Sequence, residues 1–143
     1  MIQFESTTTA TSEAISDLTD SVMTFLQEKG VETRATHHTA LVLSEILTNL
    51  SSHAGGREQP VRVLVAVESD KVIGEVIDRS KPFDPRLAPE PVLDAEPEDR
   101  PIGGLGLYLV RKLTSALEYV RRDDQNCTTF AIKREHPAAR ANP

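Results

Sequence analysis

Apolar positions along this chain change their period several times, and each change marks an element. Ile15, Leu18, Val22, Phe25 and Leu26 recur at three- and four-residue spacing, the stripe of an amphipathic helix, with Thr11 or Ser12 as its N-cap and Gly30 as its stop. Such a helix has about five turns. A second helix is predicted from about Arg34 to Ser52, with its core stripe at Leu43, Ile46, Leu47 and Leu50 and its end at Gly55-Gly56. The period then drops to two. Val61, Val63, Val65 and Val67 alternate with Arg62, Leu64, Ala66 and Glu68, a strand with one buried face. Ser69-Asp70 makes a turn, and Lys71 to Asp78 reads as the antiparallel partner. A short edge strand is expected over residues 2–6, and two more strands over Leu117 to Arg122 and Thr128 to Lys133, joined by residues 123–126.

Between these periodic stretches lies one with no apolar period. Six of the nine prolines fall between Arg79 and Pro101, together with Glu90, Asp94, Glu96, Glu98 and Asp99. Loops longer than about 12–15 residues in a compact domain are usually functional or disordered, so this one is read as a lid. It opens into Gly103-Gly104-Leu105-Gly106-Leu107-Tyr108-Leu109-Val110, where three of the seven glycines run into a helix ending near Thr114. Residues without a Cβ let backbone N–H groups approach a ligand, and a helix start favours anions such as phosphate. The two best-known phosphate motifs are not met: no Gly-Lys-Ser/Thr follows, and Leu109 stands where a dinucleotide fingerprint needs its third glycine. The element order is strand, helix, helix, strand, strand, lid, helix, strand, strand. It predicts an α+β fold, a two-layer sandwich with helices on one face of a mixed sheet, the other face being solvated or covered by a partner.

Composition narrows the function. A chain of 143 residues suits one domain with a core that needs no disulfide or metal. A net charge of −6 disfavours direct nucleic-acid binding and favours a protein partner or a small ligand. Cys127 is the single cysteine, which fits a reducing compartment. No apolar run suits a membrane span, and the first 20 residues hold four acidic groups and no Lys or Arg, unlike a signal peptide. The expectation is a cytoplasmic protein.

The chemistry can now be placed. Glu45 and Asn49 are four residues apart, one turn along one helix face. They are either a solvated polar face, or an oxygen ligand for Mg²⁺ at Asn49 beside a base at Glu45 that orients or deprotonates an attacking hydroxyl. His53, near the same face, is either a structural hydrogen-bonding group or a ligand. Asp78, where the chain leaves the sheet, is either a turn-former or an acceptor for the amino group of a purine.

Three stretches together resemble a family. Glu45-Ile46-Leu47-Thr48-Asn49 with His53, then Asp78-Arg79-Ser80-Lys81-Pro82-Phe83-Asp84-Pro85, then Gly103-Gly104-Leu105-Gly106-Leu107 are similar to the N box and the two glycine boxes of the GHKL (Bergerat) ATPases, which include gyrase, histidine kinases and MutL. The Pro-Phe-Asp-Pro run and the ending Leu109-Val110-Arg111-Lys112-Leu113 with Glu118-Tyr119-Val120-Arg121-Arg122 look most like the bacterial stand-alone anti-sigma factor serine/threonine kinases of the RsbW and SpoIIAB type.

The resemblance implies ATP and Mg²⁺ as cofactors, Glu45 as catalytic base and Asn49 as the Mg²⁺ ligand. Asp78 would recognise adenine, and Gly104 and Gly106 would border the triphosphate. His53, Ser80, Phe83, Gly103, Leu105 and Leu107 would complete the nucleotide site. It further implies a STAS-type antagonist as phosphoacceptor, a sigma factor as second partner and a homodimer. Residues 1–135 would form the single ATP-binding domain, with an ATP lid at about 84–101 and a flexible tail at 136–143. One departure is plain: the first glycine box normally reads Asp-x-Gly, and Ser80 stands at the glycine. A Cβ there restricts φ and crowds the adenine wall. The family's cationic lid residues have Arg100 as nearest counterpart. Two functions therefore stand side by side, an ATP-dependent kinase that regulates transcription, and a partner-binding module of the same fold with weak or no nucleotide binding.

Overall fold

The computed structural model describes residues 3–53, 59–87 and 104–135, with the side chains of 51–53, 104 and 105 left aside. The elements are β1 (Phe4–Thr8), α1 (Ser12–Glu28), α2 (Thr33–His53), β2 (Val61–Val67), β3 (Lys71–Asp78), α3 (Gly104–Leu113), β4 (Ala116–Arg122) and β5 (Gln125–Lys133). A single 3-10 turn at Pro85–Leu87 follows β3.

Local chemistry accounts for the element ends. Thr11 caps α1, its hydroxyl accepting from the Ala14 N–H at 3.2 Å. At the other end Gly30 takes φ +77°, and the Gly30 and Val31 N–H groups donate to the Gln27 and Leu26 carbonyls at 3.0 Å each. That is a Schellman stop, which needs a left-handed residue where only glycine carries no penalty. The β2–β3 hairpin closes through Glu68 N–H to Lys71 O at 2.8 Å. β4 and β5 are joined by two residues, Asp123 (φ 53°) and Asp124 (φ 61°), both left-handed as a primed hairpin turn requires. The four-residue loop expected there is shorter because Gln125 and Asn126 already pair with Arg122 and Arg121. The edge strand likewise begins two residues later than expected, with Phe4 paired to Val65 and Thr8 to Val61.

The sheet has the order β1-β2-β3-β5-β4, and every pairing is antiparallel, which corrects the expected mixed sheet. The physical reason is that after α3 the chain re-enters the sheet at its far edge as β4, and the β4–β5 hairpin then folds back so that β5 docks against β3. The two-layer α+β arrangement is as expected. Val61, Val63, Val65, Val72, Val76, Phe130 and Ile132 face the helices, where Val22, Leu26, Leu43, Leu47, Leu50 and Val110 complete one core. Gly74 lies opposite Phe130, and a Cβ there would fall 2.3 Å from the ring, so this glycine makes room for the largest buried side chain. The opposite face carries the Arg62–Glu5 pair, Glu118 and Lys133 and leaves Val120 exposed. Among the described residues no helix is long and apolar enough to cross a membrane.

Candidate functional site

The side chains named by the motifs fall into two groups on the helix side of the sheet. The first is built by α2 and α3. Asn49 is 4% exposed and lies between Ile46 and Leu50 of the core stripe, so the solvated-face reading of this position is wrong. Its Nδ2 donates to the Glu45 carbonyl at 2.7 Å. Only a donor can face that carbonyl, so the amide is oriented and its oxygen points elsewhere. That Oδ1 is buried and has no partner among the described residues. A buried orphan of this kind costs about 1–3 kcal/mol, and it is tolerated where a ligand supplies the missing bond.

Glu45, half-buried one turn earlier, reaches across to α3. A Cβ on Gly106 would lie 2.1 Å from Glu45 Oε2, so the carboxylate occupies the space that the glycine leaves free. Gly106 thus meets Glu45 directly. Leu107 is buried beside Gly106, and Gly104 and Leu105 open the helix. Gly103 and Arg100 lie outside the described residues, as does the lid from 88 onward. The backbone of His53 ends α2.

The second group sits where β3 ends. Val72, Gly74, Val76 and Asp78 alternate onto the helix side, so Asp78 is buried, 3% exposed. Its Oδ1 accepts the Ser80 N–H at 2.9 Å and Asn126 Nδ2 at 3.0 Å. The first bond is an Asx turn, so the turn-former reading of Asp78 holds and also aims the carboxylate. Ser80 is buried too, and its Oγ has no partner among the described residues. Its carbonyl accepts from Arg121 Nη1 at 2.7 Å. Beyond it Phe83 is half-buried, and Asp84 starts the 3-10 turn by accepting the Arg86 N–H at 2.9 Å and its guanidinium at 2.8–3.2 Å. That hydrogen-bonded guanidinium holds the Asp84 carboxyl below its ordinary value, against a smaller opposing effect of burial. The expected lid therefore begins with a locally ordered turn.

Sequence reasoning missed Tyr119, Arg121 and Asn126, which surround the Asp78 turn from β4 and β5. Asn126 shares the inward parity of Phe130 and Ile132, a legible signal. Its partner 48 residues earlier is set by register alone. A cavity of about 590 Å³ touches Asp78 from the helix-free face, between Arg62, Ile77, Arg79 and Gln125, but contains neither Glu45 nor Asn49. Among the described residues no cluster of three or more His, Cys, Asp or Glu could hold a metal ion by itself.

Comparison with known proteins bears on the same elements. The model of the histidine kinase-like ATPase domain matches residues 8–132. The serine/threonine-protein kinase BtrW of Bordetella bronchiseptica is 33% identical over 92 residues, which cover 63% of this chain and 65% of that protein. The chain thus spans somewhat less than two thirds of this relative's length. Among solved structures, the RsbU and RsbW domains of Rv1364c from Mycobacterium tuberculosis superpose with a TM-score of 0.65 at 18% identity, over 94% of this chain and 32% of that one. The catalytic domain of the histidine kinase ThkA, in a nucleotide-free form, gives 0.52 at 17% identity over 92% of this chain and 98% of its own. At these identities the superpositions speak for the fold.

Proposed function

Because the chain belongs to the histidine kinase-like ATPase domain family, we propose that it is an ATP- and Mg²⁺-dependent serine/threonine protein kinase acting as an anti-sigma regulatory factor, with a STAS-type antagonist as phosphoacceptor. A sigma factor would be its second partner, and it would act as a homodimer in the bacterial cytoplasm. The observation that carries the catalytic part is the Glu45 carboxylate lying against Gly106, one turn from the Asn49 oxygen that has no partner among the described residues. The 33% identity to a serine/threonine-protein kinase supports the choice of a protein hydroxyl as acceptor.

The residues present fit the implied group. Asn49 Oδ1 is a neutral oxygen, the ligand type Mg²⁺ accepts when phosphates and waters supply the rest, which agrees with the lack of an acidic cluster among the described residues. A phosphate would be held at the N-terminal start of α3, with the Glu45 carboxylate filling the space beside Gly106. Asp78 would accept the amino group of adenine, its carboxylate aimed by Ser80 and Asn126. When bound, ATP supplies the phosphoryl group. Glu45 would orient the acceptor hydroxyl and take its proton on a carboxylate oxygen, and transfer depends chiefly on such positioning.

The test is titration of the purified protein with Mg-ATP, followed by transfer to a STAS-domain partner. Saturable Mg²⁺-dependent binding that Asn49→Ala removes, with phosphate appearing on the partner, is the expected result. The alternative, a partner-binding module without nucleotide chemistry, is favoured by the Ser80 side chain buried at the glycine position. It takes over if no binding occurs at millimolar nucleotide.

A further inference from the structure

Asn126 is 1% exposed and opposes Asp78 in the β3–β5 register. Its amide can be placed in one orientation only. Against Nδ2 lie acceptors alone: Asp78 Oδ1 at 3.0 Å, the Lys81 carbonyl at 3.0 Å and the Ser80 carbonyl at 3.5 Å. Against Oδ1 lie Arg121 Nη1 at 3.1 Å, which can only donate, and the Tyr119 hydroxyl. Turning the amide over would set an NH₂ against a guanidinium and an oxygen against a carboxylate and two carbonyls. Asn126 is therefore a rigid spacer, held by β4 and holding the turn after β3.

The consequence falls on Asp78. Oδ1 is occupied by the Ser80 N–H and by Asn126, while Oδ2 has no donor among the described residues. The carboxylate can neither rotate freely nor exchange its two oxygens, so it offers one acceptor in one direction. A pinned acceptor attracts an N–H donor and repels a carbonyl. A mobile one can turn aside and admit a water between itself and the carbonyl.

Resting on the reading that a nucleotide base meets Asp78, we infer that Asn126, held by Tyr119 and Arg121, is a positioning residue that makes the pocket select a 6-amino purine over a 6-oxo purine. Asn126 does not itself touch the base. It acts by denying Asp78 the freedom to accommodate the wrong one.

The test compares Mg-ATP with Mg-ITP, which carries an oxo group in place of the 6-amino group, for the full chain, Asn126→Ala and Tyr119→Phe. Affinities come from calorimetry, and thermal unfolding without nucleotide is followed in parallel. The unaltered protein is expected to prefer ATP by about 100-fold, two donor–acceptor mismatches' worth of discrimination. Asn126→Ala should cut that ratio to about 10-fold or less, chiefly by strengthening ITP. Tyr119→Phe, which keeps the ring and removes one hydroxyl, should lower the ratio about threefold with its unfolding midpoint unchanged. A purely structural role would weaken both nucleotides equally, and an unchanged ratio in Asn126→Ala overturns the inference. If Asn126→Ala does not fold, an unchanged ratio in Tyr119→Phe does so. Equal binding of ATP and ITP by the unaltered protein sinks the inference and leaves nucleotide binding intact. Binding of neither overturns the nucleotide reading, and the inference with it.

Discussion

The two ends of the sheet both bury strongly polar side chains, and they complete them in opposite ways. At the end where β2 turns into β3, Arg134 is 6% exposed and surrounded by acceptors. Its Nε donates to Glu32 Oε1 at 3.2 Å, Nη1 to the Glu68 carbonyl at 3.0 Å and Nη2 to the Gly30 carbonyl at 3.3 Å. Glu32 Oε2 in turn accepts the Glu135 N–H at 2.6 Å. One guanidinium thus ties the α1–α2 loop, the hairpin turn and the end of β5 together. At the other end, Asn49 Oδ1 and Ser80 Oγ are buried without partners among the described residues. Folding alone does not explain leaving such atoms unpaired at a cost of about 1–3 kcal/mol each. The first end is finished by the chain itself. The second carries all three resembling motifs and is left for something else to finish.

The largest expected effect separates catalysis from stability at the unfinished end. Glu45→Ala should lower phosphoryl transfer by at least about 100-fold, the usual contribution of a general base, while ATP affinity changes little. Phosphorylation at the original rate would remove Glu45 from the chemistry. The converse holds at the finished end. Arg134→Ala should cost about 3 kcal/mol in urea unfolding, since removing one member of a buried pair strands the other, and should leave nucleotide affinity of the folded protein unchanged. A loss below about 1 kcal/mol would show that this end is no better completed than its counterpart.

Ser80→Ala sharpens the contrast with a smaller effect of opposite sign. Deleting an unpartnered buried hydroxyl should leave stability unchanged or raise it by up to about 1 kcal/mol. A clear loss would mean that Oγ has a partner in solution. The smallest effect concerns His38, beside the finished end. Burial first, then Arg34 and His37, push its pKa below the ordinary 6.5, and Glu135 opposes them. A histidine whose folded pKa is depressed binds its proton more readily when unfolded, so its contribution is present above about 6.5 and is lost as pH falls through that value. The urea midpoint should therefore drop slightly between about pH 7.5 and 5.5, and His38→Gln should flatten part of that drop. An identical pH dependence in the variant would exclude His38 as its source.

Much of the fold was legible because it is local. The α1 stripe, its Thr11 cap and its Gly30 stop depend on residues within a turn of one another, and period and capping chemistry suffice to read them. The β2–β3 hairpin was legible for the same reason, strict alternation on either side of a two-residue turn. The candidate site was legible only as three separated motifs. Nothing local said that Glu45 would lie against Gly106, 61 residues on, because that contact depends on how α3 docks on α2.

What the sequence determined by itself, then, is the run of helices and strands, the inward parity of each strand and the residue types that carry chemistry. Tertiary structure decided the rest. It made the sheet wholly antiparallel by setting β5 between β3 and β4. It buried Asn49 where a polar helix face alone would be solvated, and it placed Asn126 across from Asp78 to fix the direction of a carboxylate. The physical reason is range. Periodicity and capping report interactions between neighbours in the chain, whereas register, burial and the orphaning of a polar atom are set by surfaces that meet only when the whole chain has folded.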